Sequence, residues 1–245
     1  MKVKNSKIMN KPISIVILAH NEVEIIQNVI DEFYNKIIKK IPGSELIIAE
    51  DGSTDGTKEV LSKMQNELSS LRWVEGKEKL GYVNAFKVAM KLPKNDIILY
   101  CDCSGKHDPD DFWKMYEIID SCDMVIGYKV NRADPFYRVF IGKVFNLLVR
   151  LYFKVPFIDI DCPLRLFKKE PFEKISGESW VEKNLINFEI TLRFYFSNYI
   201  VEQVPVKHFP RKYGDSRGLP LRKIPFVIIN VLKNFPKLKK IFKKL

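Results

Sequence analysis

Three apolar runs in this chain end in acid. ISIVIL (13–18) is followed by Asn21-Glu22, ELIIA (45–49) by Glu50-Asp51, and DIILYC (96–101) by Asp102. Runs of this kind read as strands buried on both faces. In an open parallel α/β sheet, ligands bind beyond the carboxyl ends of the strands. Carboxylates gathered from three such ends repel one another unless a metal ion or the hydrogen-bond donors of a ligand come between them. Taken singly, each acid is better explained as a helix N-cap; taken together, they point to a cleft for a polar ligand. No Ser or Cys is spaced to form a nucleophile with His107 or His208. Cys101, Cys103, Cys122 and Cys162 contain no C-x-x-C pair and no zinc-like spacing with His. They are expected to be buried free thiols in a reducing compartment.

The elements that must position these acids alternate. Strands are expected over 13–18, 45–49, 71–75, 96–101 and 123–127, with helices from beyond Glu22 to Lys40, over 56–69 and 80–91, and from near Asp110. Such alternation implies parallel strands joined by right-handed crossovers. After about residue 127 the pattern changes. Residues 136–155 (FYRVFIGKVFNLLVRLYFKV) contain no acid. At helical periodicity Lys143, Arg150 and Lys154 fall within about 40° of one another, and nearly everything else is apolar. This suits a helix lying in a membrane interface, or equally one packed on the sheet with its basic stripe in water. A helix over 183–197, a strand over 199–206 and one or two amphipathic helices in 219–245, divided by Pro225 and Pro236, complete the reading.

A length of 245 residues suits one α/β domain with an appendage, and 46% hydrophobic with 29% charged residues excludes a disordered or collagen-like chain. The net charge of +11 is concentrated at one end: nine Lys/Arg follow Asp215 and no acid does. A basic amphipathic tail over 218–245 suits an anionic membrane, nucleic acid or plain solubility. Nucleic acid is the least favoured, because no base-reading motif with interleaved aromatics is present. No run reaches the roughly 18 apolar residues of a membrane span, and the N-terminus lacks a signal-like apolar stretch. The expectation is a cytoplasmic protein, peripheral on the cytoplasmic side of a membrane.

The segments ISIVILAHNEVEII, IIAEDGSTDGT, DCSGKHDPDDF, DMVIGYKVNRADPFYR, DIDCPLRLF and VEQVPVKHFPRKYGDS occur in this order. Over roughly residues 12–217 the chain resembles the family 2 glycosyltransferases, and most closely the polyprenyl-phosphate sugar transferases of the dolichyl-phosphate mannose synthase-like type. The resemblance implies a GT-A fold: Rossmann-like α/β, a mostly parallel sheet with flanking helices, here followed by amphipathic C-terminal helices. It implies a glycosyltransferase domain over 1–217, with a nucleotide-binding part at about 12–127 and an acceptor part at about 128–217. It also implies a nucleotide-sugar donor and inversion at the anomeric carbon.

Carried over residue by residue, the resemblance implies that Glu22 lies near the donor nucleoside. Asp51 would hydrogen-bond the base or ribose, and Asp102 would be the first acid of a D-x-D metal motif. Arg132 and Arg138 would hold an acceptor phosphate. Arg211 would lie near the diphosphate, and Asp159 and Arg165 would flank the acceptor side. The chain departs from the family at Ser104, where a second Asp is usual, and at Lys106, where a Gln is usual. A hydroxyl is a poorer ligand for Mg²⁺ or Mn²⁺ than a carboxylate, and an ammonium repels the ion. Either a weak divalent-cation site survives on Asp102, or Lys106 and Arg211 meet the charge of the leaving diphosphate in the ion's place.

A polyprenyl phosphate is already anionic at pH 7 and needs no general base. A glycan hydroxyl would need one, with Asp159, Asp161 and Glu189 as candidates. The leading expectation is transfer to a polyprenyl phosphate at a membrane surface. Transfer to a glycan hydroxyl, and a nucleotide-sugar-binding module impaired at Ser104, remain as alternatives.

Overall fold

The computed structural model describes residues 11–176, 180–182, 185–211 and 224–243. The apolar runs form β1 (Ile13–Ala19), β2 (Glu45–Glu50), β3 (Leu71–Val74), β4 (Ile97–Asp102) and β5 (Met124–Val130), and β7 (Val201–Lys207) follows later. Helices α1 (Ile26–Lys36), α2 (Thr57–Glu67), α3 (Tyr82–Ala89) and α4 (Asp111–Tyr116) fill the connections among the first five strands. Beyond β5 come α5 (Phe136–Phe153), α6 (Lys169–Ser176), α7 (Ile186–Phe196) and α8 (Ile224–Phe242).

One strand, β6 (Arg165–Lys168), and the short helix α6 directly after it have no counterpart in the expected elements. R-L-F-K is too short to carry a periodicity signal, and its first residue is a fully buried arginine. The sheet order is β3-β2-β1-β4-β6-β5-β7. All neighbours are parallel except β6, which runs antiparallel to both β4 and β5. This reversal positions the site: the N-terminal end of β6 lies beside the carboxyl end of β4, with Tyr100 opposite Arg165. The segment 159–165 is thereby brought to the same edge as Asp102.

The first core packs both faces of the sheet, with β1 buried along its whole length. Cys101, Cys103, Cys122 and Cys162 are free and buried in it. A second apolar cluster joins α5, α7 and α8 through Val149, Phe153, Phe188, Leu192, Phe235 and Phe242. Helix α8 runs unbroken through Pro236, where a division was expected. Its buried residues Val227, Val231, Phe235, Leu238 and Phe242 keep one helical stripe across the proline. Burying that stripe outweighs the lost backbone hydrogen bond.

Candidate active site

The register of the sheet sets the acids side by side. Ala19 pairs with Glu50 across β1 and β2, and Leu18 with Asp102 across β1 and β4. Beyond the strands the backbone continues the ladder: Asp51 N–H donates to the Ala19 carbonyl (2.9 Å) and Cys103 N–H to the Leu18 carbonyl (3.2 Å). Glu22, Asp51 and Asp102 therefore share one edge.

The loops after β1 and β2 are joined by side chains of the sequence Ser-Thr-Asp-Gly-Thr. Asn21 sits at φ +55°, a conformation that Asn tolerates better than most residues. Its N–H donates to Ser53 Oγ (2.8 Å), and its Oδ1 accepts from Thr54 N–H (2.8 Å). Glu22 N–H donates to Thr57 Oγ1 (2.9 Å) and Val23 N–H to Asp55 Oδ2 (3.2 Å). Burial would raise the Asp55 carboxyl, but hydrogen bonds from Thr57 and Val23 outweigh it and hold the group below its usual range.

Both acids ending β2 support the loop that leads into α3. Glu50 is buried and accepts from the backbone of Ser53 and of Gly76 (3.1 Å for the latter). Asp51 takes Leu80 N–H on Oδ1 (2.7 Å) and Gly81 N–H on Oδ2 (3.0 Å). Gly76 is required by proximity: a Cβ there would stand 2.6 Å from the Glu50 carbonyl oxygen and from the Gly52 nitrogen. These loops enclose a cavity of about 220 Å³ whose lining includes Ala49, Asp51, Val74, Lys77 and Leu80. Asp51 thus borders the cavity while each of its oxygens already holds a backbone donor.

At the end of β4, Ser104 Oγ donates to Asp102 Oδ1 (2.8 Å). Gly105, at φ +64°, lets this turn approach Ile25 so closely that a Cβ would stand 2.5 Å from its Cδ1. Lys106 does not reach back to Asp102. Its ammonium pairs with Asp134 (3.1 Å), which also receives Arg132 through Nε (3.1 Å) and Nη2 (2.7 Å). Burial would raise the Asp134 carboxyl, yet these two cations hold it far below its usual range. His208 accepts the Ala133 N–H on Nδ1 (3.3 Å), with Nε2 3.8 Å from Asp134. The His107 and His208 backbones form a bridge and their rings pack edge to face at 5.7 Å. Burial pushes both imidazoles down to about 4, so they are neutral at pH 7.

Arg211, beyond β7, forms an ion pair with Glu22, tying the late segment to the β1 loop. Arg138 lies in the first turn of α5 with its guanidinium 5.9 Å from the Tyr137 ring centroid. Arg165 is fully buried and donates to the carbonyls of Cys162 (3.2 and 2.5 Å) and Asn187 (2.9 Å). It is a strut between the 159–165 segment and the start of α7. The three candidate bases separate cleanly. Asp159 is paired with Lys129 (3.1 Å), and Glu189 with Arg193 (2.8 and 2.9 Å) and the backbone of Val181 and Glu182. Asp161 leaves Oδ1 without a partner, and burial pushes its carboxyl up to about 6.

Sequence reasoning assigned no role to Asp134, Lys129, Tyr82 or Asn187. Asp134 had a signal, since it lies inside the quoted R-x-D-P segment; the other three become visible only once β6 and α7 are in position.

Asp102 is the one carboxylate of the altered motif left to meet a divalent ion, whose other ligands would come from water and the donor diphosphate. Among the described residues, no three His, Cys, Asp or Glu side chains gather closely enough to hold a metal. Ser104 and Lys106, which stand in the D-x-D-x-Q-like stretch, make their bonds to Asp102 and Asp134 instead.

A cavity beyond β2, acids aligned at the carboxyl edge and an antiparallel β6 inserted in a parallel sheet define the GT-A class of fold. Residues 14–176 match the model of glycosyl transferase family 2, and the chain belongs to that family. It is 27% identical over 215 residues to glycosyltransferase AglD of Haloferax volcanii, covering 84% of this chain and 34% of that protein. It is 24% identical over 209 residues to the undecaprenyl-phosphate 4-deoxy-4-formamido-L-arabinose transferase of Salmonella choleraesuis, covering 84% of this chain and 62% of the relative. The chain thus spans between a third and two thirds of the length of these curated relatives. Among solved structures, the fold matches the mannosyltransferase PcManGT of Pyrobaculum calidifontis in complex with GDP-Man and Mn²⁺, at TM-score 0.63 and 18% identity, covering 86% of this chain and 59% of that one. It also matches the glucosyl-3-phosphoglycerate synthase of Mycobacterium tuberculosis with Mn²⁺, UDP and phosphoglyceric acid, at TM-score 0.67 and 17% identity, covering 92% and 78%.

Proposed function

We propose that this protein transfers a sugar, with inversion, from a nucleotide-sugar to a polyprenyl phosphate at the cytoplasmic face of a membrane. The observation that carries the reading is the junction of two features at α5. Asp134 holds Arg132 and Lys106 just before the helix begins, and the helix then presents an apolar outer face. Phe136, Phe140, Val144, Leu147 and Leu151 form one stripe, with Phe136 84% and Leu151 68% exposed. Lys143 and Arg150 are exposed alongside it. A phosphate joined to an isoprenoid chain has the same two parts in the same order. The apolar stripe supports insertion at the interface, and each Lys/Arg near an anionic surface adds about 1 kcal/mol. No helix among the described residues is long and apolar enough to cross a membrane.

The nucleoside enters the cavity beside Asp51, and the diphosphate extends along the edge toward Asp102 and Arg211. Arg211 and Lys106 exchange carboxylate partners for phosphate oxygens, meeting the charge that develops on the leaving group. Arg132, at the N-terminus of α5 where backbone N–H groups also favour anions, holds the acceptor phosphate together with Arg138. A phosphate oxygen attacks the anomeric carbon from the face opposite the diphosphate. The new C–O bond forms as the bond to the nucleoside diphosphate breaks, and the diphosphate departs with the electron pair. The nucleophile is already an anion, so no proton has to be removed. Incubation with a nucleotide-sugar and undecaprenyl phosphate in vesicles, followed by extraction of a glycosylated lipid phosphate, tests the proposal. Hydrolysis of the donor without lipid product would count against it.

A second reading, transfer to a glycan hydroxyl, is favoured by one observation. Asp161 retains an unpaired oxygen and a carboxyl near 6, which suit a general base. Product formation on a soluble glycan acceptor in the absence of lipid would select that reading.

A further inference from the structure

Two buried side-chain acceptors stand without partners beside the Asp102 edge: Asp161 Oδ1 and Asn187 Oδ1. Their segments are tied together by two side chains: Arg165 donates to the carbonyls of both Cys162 and Asn187, and Thr191 Oγ1 bonds the carbonyls of both Ile160 and Asn187. Asn187 is only 5% exposed, and its amide is fixed from the other side, where Nδ2 donates to the Tyr82 hydroxyl (3.1 Å). The same hydroxyl receives Tyr100 O–H (2.7 Å), so Tyr82 accepts twice and keeps its own proton to donate. Tyr82 lies within the electrostatic reach of both Asp102 and Asp161. Behind the pair, Arg165 holds the Asn187 carbonyl (2.9 Å), and Thr191 Oγ1 donates to the Ile160 carbonyl (3.2 Å). The positions are therefore rigid. Charges facing Asp161 come from Lys129, Arg165 and Asp159, and none of them satisfies Oδ1.

A buried acceptor without a donor is costly, and two in one place call for a ligand that brings donors. The glycosyl transfer reading supplies one: the sugar lies between the diphosphate at Asp102 and the acceptor. We propose that Asp161 and Asn187, with the Tyr82 hydroxyl bonded to Asn187, form the subsite that reads the transferred sugar. They select a glycosyl group that offers two hydrogen-bond donors, hydroxyl or amino, to the two acceptors, and one acceptor to the Tyr82 hydroxyl. The assignment rests on the proposed function and deepens it. In this account Asp161 is a specificity residue and not a proton acceptor in the reaction.

The test is calorimetric titration of the wild type, Asp161→Asn and Tyr82→Phe with UDP, UDP-glucose, UDP-N-acetylglucosamine, GDP and GDP-mannose. Melting temperatures check the fold, and Tyr82→Phe carries the test if Asp161→Asn is unstable. The subsite predicts that one nucleotide-sugar binds the wild type more tightly than its bare nucleotide. Both variants should keep the affinity for the bare nucleotide within about twofold while losing about 10- to 100-fold in affinity for the sugar conjugate. Parallel losses for nucleotide and conjugate would overturn the assignment, as would no sugar-dependent gain in the wild type. Asp161→Asn that binds the conjugate normally but turns over slowly would make Asp161 a general base and overturn it as well. Failure of every nucleotide to bind would instead remove the transferase reading on which the subsite depends.

Discussion

Replacing Arg132 by Ala separates the two halves of the site. In the structure, Arg132 makes two charge-assisted bonds to Asp134, at 3.1 and 2.7 Å, with its side chain about a quarter exposed. Asp134 keeps Lys106 at 3.1 Å when Arg132 is lost, so the buried carboxylate is not left without a cation. The stability cost is then that of the hydrogen bonds to a charged partner, reduced by solvent screening: about 1–2 kcal/mol. For a chain of this size that is roughly 2–8 °C in melting temperature. Function should suffer more. A guanidinium–phosphate contact of the charge-assisted class contributes about 1.5–3 kcal/mol, so kcat/KM for polyprenyl phosphate should fall by roughly 10- to 150-fold. Calorimetric affinity for the nucleotide or nucleotide-sugar should stay within about twofold. Arg132→Lys keeps the charge but not the fork, and should fall between the two. Unimpaired lipid transfer by Arg132→Ala, or an equal loss of donor affinity, would refute the assignment of Arg132 to the acceptor.

Gly142→Ala tests the same guanidinium from the other side. A Cβ there would stand 2.8 Å from Arg132 Nη1, so acceptor KM should rise several-fold with little change in stability, as measured by lipid titration and melting. Asp51→Ala should weaken nucleotide binding about tenfold or more, because it releases the Leu80–Gly81 loop beside the cavity; unchanged affinity in calorimetry would remove Asp51 from the donor site. Excess EDTA should leave nucleotide-sugar affinity within a few-fold, since Arg211 and Lys106 supply cations at the edge; complete dependence on Mg²⁺ or Mn²⁺ would contradict this. Stability against pH should respond to Asp161. His107 and His208, held near 4, refuse protons that the unfolded chain accepts below about 6.5, so they cost stability as pH falls. Asp161 and Glu182, held near 6 and 7, take protons in the fold before they would when unfolded, and so offset that loss. Asp161→Asn should therefore steepen the fall in unfolding free energy from pH 7 to 5, by up to about 1.4 kcal/mol per pH unit in denaturant titrations, and an unchanged slope would contradict the burial of that carboxyl.

The legible part of this fold was the part with strong local signals. β1, β2 and β4 are long apolar runs, and the acids after them are adjacent because parallel pairing leaves little freedom once the strand order is set. β6 was not legible, since four residues beginning with a buried arginine resemble no strand pattern, and its reversed direction is a tertiary outcome. That one omission also hid the proposed subsite of Asp161, Asn187 and Tyr82, which are 26 to 105 residues apart and come together only where β6 and α7 return to the β4 edge. Lys106 illustrates a different limit. Its charge was evident, but its direction was not, and it turns to Asp134 and away from Asp102. The D-x-S alteration was visible as chemistry, whereas the Ser104–Asp102 bond that accompanies it depends on how the turn after β4 folds.

Direct assay of the product tests the central claim. The full chain is incubated with undecaprenyl phosphate in anionic vesicles and each of a set of nucleotide-sugars, and the lipid extract is analysed by mass and by anomeric configuration. One nucleotide-sugar should yield a glycosyl phospholipid of inverted configuration, and release its nucleoside diphosphate in equal amount. Absence of any lipid-linked sugar, with glycosylation of a free hydroxyl or retention of configuration in its place, would contradict the account.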